Sequence, residues 1–368
     1  MIRDICTETK SNSIEAPAET KPELRIGILK NESPRSAERW AEACKRKNLT
    51  FQIIDLSSAF WLEQVLSERC DLYLLHPSGS YEQFKTMYDE RIHIICNELH
   101  LRTYPSYNEC IIYENKKMLA YFLASRSIPH PATHVFYDFE ETAAFLACAN
   151  FPIVAKTSIG ASGAGVRILK SQSEALSYID KAFKGRGISR RFGPNRVTGN
   201  PGKWIVKTIC SPSYFVNRMK LYFEINRNTQ KGYVIFQEYV QHDFEWRIVK
   251  IGNSYFTHKK IKVVDKASGG KVKQFGLPDN KVLDFVDEFC AENHLSSVCV
   301  DIFESDRGFL VNEIQCIFGI PYGYLMKVGN ETGRIRKMNG AWQFESGDFT
   351  FNECFDLRLE HAISLLQT

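Results

Sequence analysis

No run of about 18 consecutive apolar residues occurs in the 368-residue sequence, so no segment reads as a membrane-spanning helix. Residues 1–23 are polar and lack the apolar core of a secretory leader, which makes a cytoplasmic location the expectation. The eleven cysteines are odd in number and scattered, and no two are spaced C-x-x-C, so neither a zinc ribbon nor a dithiol redox centre is indicated and reduced thiols are expected. Charge of one sign is also lacking. With 47 Lys and Arg against 43 Asp and Glu the net charge is only +4, which gives no global case for a nucleic-acid partner. Gly27 stands alone after the first apolar run, where a dinucleotide fingerprint would place three glycines, and no Gly-Lys-Ser/Thr opens a helix. No Ser-His-Asp or Cys-His arrangement is visible, and the nine histidines, His242 and His258 among them, read as structural or peripheral. Internal repeats and low-complexity tracts are absent.

What is present is the composition of an ordinary globular protein, 44% hydrophobic and 24% charged, with length for two or three domains. Residues 24–29, 51–56, 72–75 and 92–96 read as strands. They alternate with helices over 34–47, where Ser33 precedes a proline at the first position, and over 61–68 and 81–89. Such alternation predicts a small parallel sheet covered on both faces. Residues 109–126 read as one helix carrying Lys116 and Lys117, and 139–148 as another. A short apolar strand then ends at Lys156, followed by the small-residue stretch Thr157 to Gly165 and a strand at 166–169. Free backbone N–H groups in such a hairpin tip can close over phosphate oxygens. Residues 181–207 carry eight Lys and Arg, among them Arg186, Arg190 and Arg191, with no acidic residue, and read either as a clamp for an anion or as a solvated loop. Strands are expected at 233–240, 245–251 and 255–264, the last with Lys259, Lys260 and Lys262 on a cationic edge. A helix at 282–293, a short strand at 340–344 and a helix at 354–366 complete the pattern.

The run Val298 to Gly319 reads as a hairpin of strands 298–305 and 309–315. A three-residue loop ending at Gly308 pairs Ser305 with Phe309 and so places Asp301 opposite Glu313, with Gln315 on the same face as Glu313. Two facing carboxylates imply that one is protonated or that a cation lies between them, and oxygen donors suit Mg²⁺ or Mn²⁺.

A lysine-bearing helix, a strand ending in lysine before a small-residue loop, the linker Gln237-Glu238-Tyr239-Val240 and an Asp…Glu-x-Gln hairpin follow one another in the order seen in the ATP-grasp superfamily, which residues 24–325 resemble. The likeness is nearest in flavour to the glutathione-synthetase-like and ribosomal-protein glutamate-ligase-like carboxylate–amine ligases. It implies an α/β (α+β) architecture: a flexible tail at 1–23, a parallel α/β domain at 24–108, a central lid subdomain at 109–238 and a C-terminal subdomain at 239–368 bearing the metal site. It further implies ATP with two Mg²⁺ or Mn²⁺ ions held by Asp301, Glu313 and Gln315. Lys116, with Lys117 as its rival, and Lys156 would meet the phosphates, and the loop with Ser158, Gly160, Ser162 and Gly163 would cover the γ-phosphate. Residues Gln237 to Val240 would read adenine, and Glu245 or Asp243 the ribose. Arg247, Lys260 and Lys262 would act at the transferred phosphoryl group or the substrate carboxylate. The implied reaction joins a small-molecule carboxylate to an amine through an acylphosphate, releasing ADP and phosphate. A hydroxyl kinase and a non-catalytic ATP-binding regulator are the alternatives. Amino acids, peptides or uronic-acid sugars are the implied partners, with homo-oligomerisation left open and no nucleic acid or membrane partner. The sequence departs from the family at Gln315, where asparagine is usual, at Cys316 to Gly319, which lacks a proline, at Asn115, where aspartate is common, and in the basic segment, which looks like an insertion.

Overall fold

The computed structural model describes residues 24–367 except 34, 68, 80, 161–162, 186, 191–214, 217–218, 220–222, 224–227, 264–265, 268–271 and 321–322. The basic segment therefore lies largely outside the described residues. The first unit comprises β1 (Arg25–Lys30), α1 (Glu38–Arg46), β2 (Thr50–Asp55), α2 (Trp61–Ser67), β3 (Leu72–Leu75), α3 (Glu82–His93) and β4 (Thr103–Tyr104). Its parallel sheet has the order β2-β1-β3-β4. Unbroken apolar strands are what a sheet covered on both faces requires. Ile26, Ile28 and Leu74 pack beneath Trp40 and Ala43 of α1, while Leu29, Tyr73 and Leu75 face Val65 and Tyr88. A Cβ on Gly27 would lie 2.6 Å from the ring of Tyr73, so this glycine serves strand packing and not a phosphate.

Two expectations change here. Residues 92–96 are no strand: α3 runs on into a π-helical turn at Ile94–Glu98, because Tyr88, Ile92 and Ile95 recur at helical spacing and bury one face, and the fourth strand is β4. The helix expected over 109–126 is two helices, α4 (Tyr107–Ile112) and α5 (Lys116–Ser125). Ser106 and Glu109 form a capping box on α4. Asn115 starts α5 by accepting from the Met118 N–H at 3.2 Å, and Glu114 takes a left-handed φ of 46° between them.

The second unit contains β5 (Thr133–Phe136), α6 (Phe139–Cys148), β6 (Ile153–Lys156), β7 (Val166–Leu169), α7 (Gln172–Phe183) and β8 (Val234–Glu238), in an antiparallel sheet of order β5-β8-β6-β7. Leu146 of α6 and Tyr178 and Ile179 of α7 bury one of its faces, leaving the other to the cleft.

The third unit is an antiparallel sheet of nine strands: β9 (Phe244–Ile251), β10 (Ser254–Val263), β11 (Lys266–Ala267), β12 (Lys273–Gln274), β13 (Ser297–Ser305), β14 (Gly308–Gln315), β15 (Lys327–Val328), β16 (Glu331–Met338) and β17 (Ala341–Ser346). It carries α8 (Asn280–Glu292), and α9 (Phe355–Ser364) closes the chain. Helices α4 and α5 share the core of this sheet through Ile112, Leu119 and Phe122. Helix α9 returns to the parallel sheet through Phe355 and Leu359. Grouping by core thus differs from the chain-order boundaries at 108 and 238.

In the β13–β14 hairpin Ser305 pairs with Gly308, so the loop has two residues and not three. A bulge at Asn312 then restores the pairing of Asp301 with Glu313. Two shifts of one residue cancel. The bulge also brings Asn312 and Glu313, adjacent in sequence, to the same cleft.

Candidate active site

Residues of all three units line a cleft of about 780 Å³, within the size range of small-molecule sites. One end is apolar. Val154 of β6 and Ile168 of β7 lie on one side and Phe303 of β13 on the other, with Gln237 to Val240 along the edge. Gln237 donates to Thr133 Oγ1 at 3.0 Å and Glu238 pairs with Arg307 at 2.6 Å, which fixes the strand end before the linker. His242, which the sequence reading set aside, lines the same end. Its Nδ1 is 2.8 Å from the Val240 carbonyl, its ring lies 4.4 Å from that of Phe303, and its Nε2 is buried without a hydrogen-bond partner among the described residues. Burial lowers the affinity of His242 for a proton, so the neutral ring keeps one nitrogen to offer a bound molecule.

The other end is ionic, and strand register explains it. Lys260 faces Glu245 across β9 and β10, and Arg247 faces Asp301 across β9 and β13, so all four side chains share one face. The Arg247 Nε and Nη2 each donate to Asp301 at 2.8 Å. Lys260 Nζ donates to Asp301 at 2.7 Å and also to Glu245. Burial pushes the Asp301 carboxyl up, but Arg247 and Lys260 outweigh it and hold the group well below the usual carboxylate range. Lys260 is raised in turn: burial works against its charge, and Asp301 and Glu245 restore it. Arg247 and Lys260 thus supply Asp301 with the positive charge that the hairpin alone called for. Glu245, expected at a ribose, is engaged by Lys260.

Glu313 is a quarter exposed and lies 3.5 Å from Lys116 Nζ, and Lys156 Nζ donates to Asn312 Oδ1 at 3.0 Å. Gln315 lines the cleft at the end of β14. Burial pushes the Lys156 ammonium down to about 8, with Glu313 opposing the fall and Lys116 adding to it. Geometry separates the two candidate lysines of α5: Lys116 is buried in the cleft wall, whereas Lys117 lies 4.0 Å from the Tyr233 ring centre and outside the lining. The cationic edge expected at Lys259, Lys260 and Lys262 is not one patch. Strand alternation sends Lys259 to the opposite face, over Phe244 and Trp246, while Lys262 is taken by the Tyr239 hydroxyl at 2.8 Å and does not line the cleft.

The small-residue loop departs from expectation in its donors. The Ser158 N–H donates to Gln230 Oε1 at 2.8 Å and the Gly160 N–H to Glu114 Oε2 at 2.9 Å, so both are already engaged. Gly160 and Gly163 line the cleft, Gly163 at a φ of 66° where an added Cβ would meet no other described residue within 4 Å, while Ser162 lies outside the described residues. Neither Gln230 nor Glu114 was legible as a loop partner, since each is distant from the loop in sequence.

As donors for a hard cation, Glu313 and Gln315 line the cleft, whereas Asp301 already accepts from Arg247 and Lys260 and is not part of the lining. Two protein oxygens fit Mg²⁺ where phosphates supply further ligands. Among the described residues no three His, Cys, Asp or Glu side chains group as a metal site of their own. The nine described cysteines are free thiols, and no described helix is long and apolar enough to cross a membrane.

No family model matches the sequence, and no curated protein is significantly similar to it. Solved structures do match. The chain is similar to D-alanine–D-alanine ligase from Bacillus anthracis complexed with ATP, at 13% identity over 94% of this chain and 98% of that one, with a TM-score of 0.50. It is similar to the biotin carboxylase domain of Hydrogenobacter thermophilus 2-oxoglutarate carboxylase in complex with MgADP and bicarbonate, at 10% identity over 83% and 66%, with a TM-score of 0.52. A RimK-domain ATP-grasp protein from Sphaerobacter thermophilus also matches, at 13% identity over 80% and 92%, with a TM-score of 0.46. The likeness to the first two of these, at TM-scores of 0.50 and 0.52, is one of fold.

Proposed function

We propose that this protein is an ATP-dependent carboxylate–amine ligase. The observation that carries the reading is the convergence of Lys116 and Lys156, from α5 and from β6, on the cleft end where Glu313 and Gln315 stand, with an apolar slot for a purine at the other end. Likeness to an ATP-bound ligase and to an MgADP-bound carboxylase domain supports the nucleotide. Mg²⁺, held by Glu313 and Gln315 together with the phosphates, would neutralise charge on the phosphoryl group in transfer. Lys116 and Lys156 act as point charges toward the phosphates, and Arg247 and Lys260, held in place by Asp301 and Glu245, would offer N–H donors to the substrate carboxylate. That carboxylate attacks the γ-phosphorus and ADP leaves. An amine then attacks the acyl carbon, phosphate departs, and the amine's proton passes to solvent or phosphate. Charge placement does most of this work, which suits a site in which burial lowers the pKa of His258, the cross-strand partner of Arg247, to about 3.

The test is ADP release from MgATP against a panel of amino acids, short peptides and sugar acids, with hydroxylamine present to trap acylphosphate as hydroxamate. Hydroxamate with one class of carboxylate supports the ligase. ADP without hydroxamate, together with a phosphorylated hydroxyl, makes it a kinase, and tight ATP binding with no turnover makes it a regulator.

Lys156 gives a second check. The unfolded chain holds this proton to about pH 10.4, so the lowered value means that the ammonium costs the empty fold stability at neutral pH, and stability rises as pH climbs through 8. A polyanion beside Lys156 would draw the proton back. Calorimetric titration with MgADP at about pH 9 is expected to show proton uptake, read as a dependence of the heat on buffer ionisation enthalpy, and Lys156→Met should abolish it. Equal heats in all buffers would remove Lys156 from the phosphate site.

A further inference from the structure

Glu114 occupies the connection between α4 and α5 with a φ of 46°, a conformation that is unfavourable for a residue with a side chain unless its surroundings compensate. The residue is 5% exposed. Its carboxylate is directed at the nucleotide loop: Oε2 accepts from the Gly160 N–H at 2.9 Å and lies 3.9 Å from Lys116 Nζ. The same ammonium is 3.4 Å from the Gly160 carbonyl and 3.5 Å from Glu313. The Lys116 N–H donates to the Ser158 carbonyl at 3.1 Å, so loop and helix N-terminus are tied at several points. A carboxylate held by a glycine-loop N–H and a lysine ammonium has the partners that a phosphate oxygen would take.

We infer that Glu114 is an internal anion that stands in for a phosphate and keeps the loop engaged until nucleotide displaces it. The inference rests on the nucleotide reading of the cleft. One N–H carries one hydrogen, so Gly160 cannot donate to Glu114 and to a phosphate together. The negative charge of Glu114 also repels the arriving phosphates. Glu114 is thus a positioning residue whose release accompanies phosphate binding, and it weakens affinity for phosphorylated nucleotides while leaving the nucleoside end of the cleft untouched.

The experiment uses the full chain with Glu114→Asn, which tolerates a positive φ and is too short to keep the contact, and Glu114→Gln, which keeps the shape without the charge. Thermal melts confirm folding of each. Without nucleotide, hydrogen exchange of the loop amides up to Gly160 should quicken in Glu114→Asn. Affinity for MgADP should tighten about tenfold in Glu114→Asn, the size of one charge-assisted hydrogen bond removed from competition, and by a smaller factor in Glu114→Gln, which loses the charge but keeps an acceptor, while affinity for adenosine stays constant. Unchanged exchange, or MgADP affinity that is unchanged or weaker in variants of a wild type that binds MgADP, overturns the role of Glu114. A wild type that binds neither adenosine nor MgADP overturns the nucleotide reading and this inference with it. A parallel shift in adenosine and MgADP affinity overturns it in favour of a general structural role.

Discussion

Asp301→Asn is expected to destabilise the folded chain by about 3–5 kcal/mol, measured as the shift in free energy of urea unfolding. The carboxylate is 2% exposed and takes both donors of Arg247 and the ammonium of Lys260. An amide keeps the shape but leaves two buried cations to share Glu245. Removing one partner of a buried ion pair costs far more than the pair contributes, because an uncompensated charge remains behind. The pH dependence follows from the lowered Asp301 value: its contribution is fully present above about pH 4, the ordinary carboxyl range, and is lost only as pH falls through the depressed folded value. Between about pH 7 and 5 the gap between wild type and variant should therefore hold constant. A loss below about 1 kcal/mol, the range of exposed ion pairs, would show that the cluster is solvated and not a buried anchor.

The layer order of the fold was legible because continuous apolar strands, alternating helices and the lysine–loop–linker–hairpin order are written along the chain. The residues on which the site turns were legible in part, for a physical reason. Lys116, Lys156, Glu313 and Gln315 sit at ends of elements whose periodicity is strong. Their partners are set by register across strands: Lys260 opposite Glu245 and Arg247 opposite Asp301 follow only once β9, β10 and β13 are aligned. The hairpin shows how such a reading can reach the right pair by a wrong path, since the shorter loop and the bulge at Asn312 compensate. Residues 92–96 failed for a different reason: a short apolar run satisfies a strand and a buried helical face equally, and only packing against Tyr88 decides. Glu114 and His242 carried no sequence signal, because an unusual φ and an orphaned ring nitrogen appear only in three dimensions.

Glu313→Ala should behave in the opposite way to Asp301→Asn, although the two carboxylates are cross-strand partners. Turnover is expected to fall at least about a hundredfold, the cost of removing one fixed group from the charge-stabilising set, while unfolding free energy changes by less than about 1 kcal/mol. Glu313 is partly solvated, and its ion pair with Lys116 at 3.5 Å is long, so little stability resides there. Its removal leaves Lys116 with Glu114 and the Gly160 carbonyl as neighbours, and no buried charge is stranded. Repulsion between the carboxylates contributes little to this outcome, since Asp301 is neutralised by its own cations. Paired melts and steady-state rates at saturating MgATP decide the matter. Stability lost in parallel with activity would place Glu313 in the structural cluster, whereas unimpaired turnover would remove it from the metal site and leave Gln315 without a partner there. That contrast would assign one carboxylate of the hairpin to holding three strands together and the other to the reaction, a division that strand pairing alone does not reveal because the two are cross-strand partners.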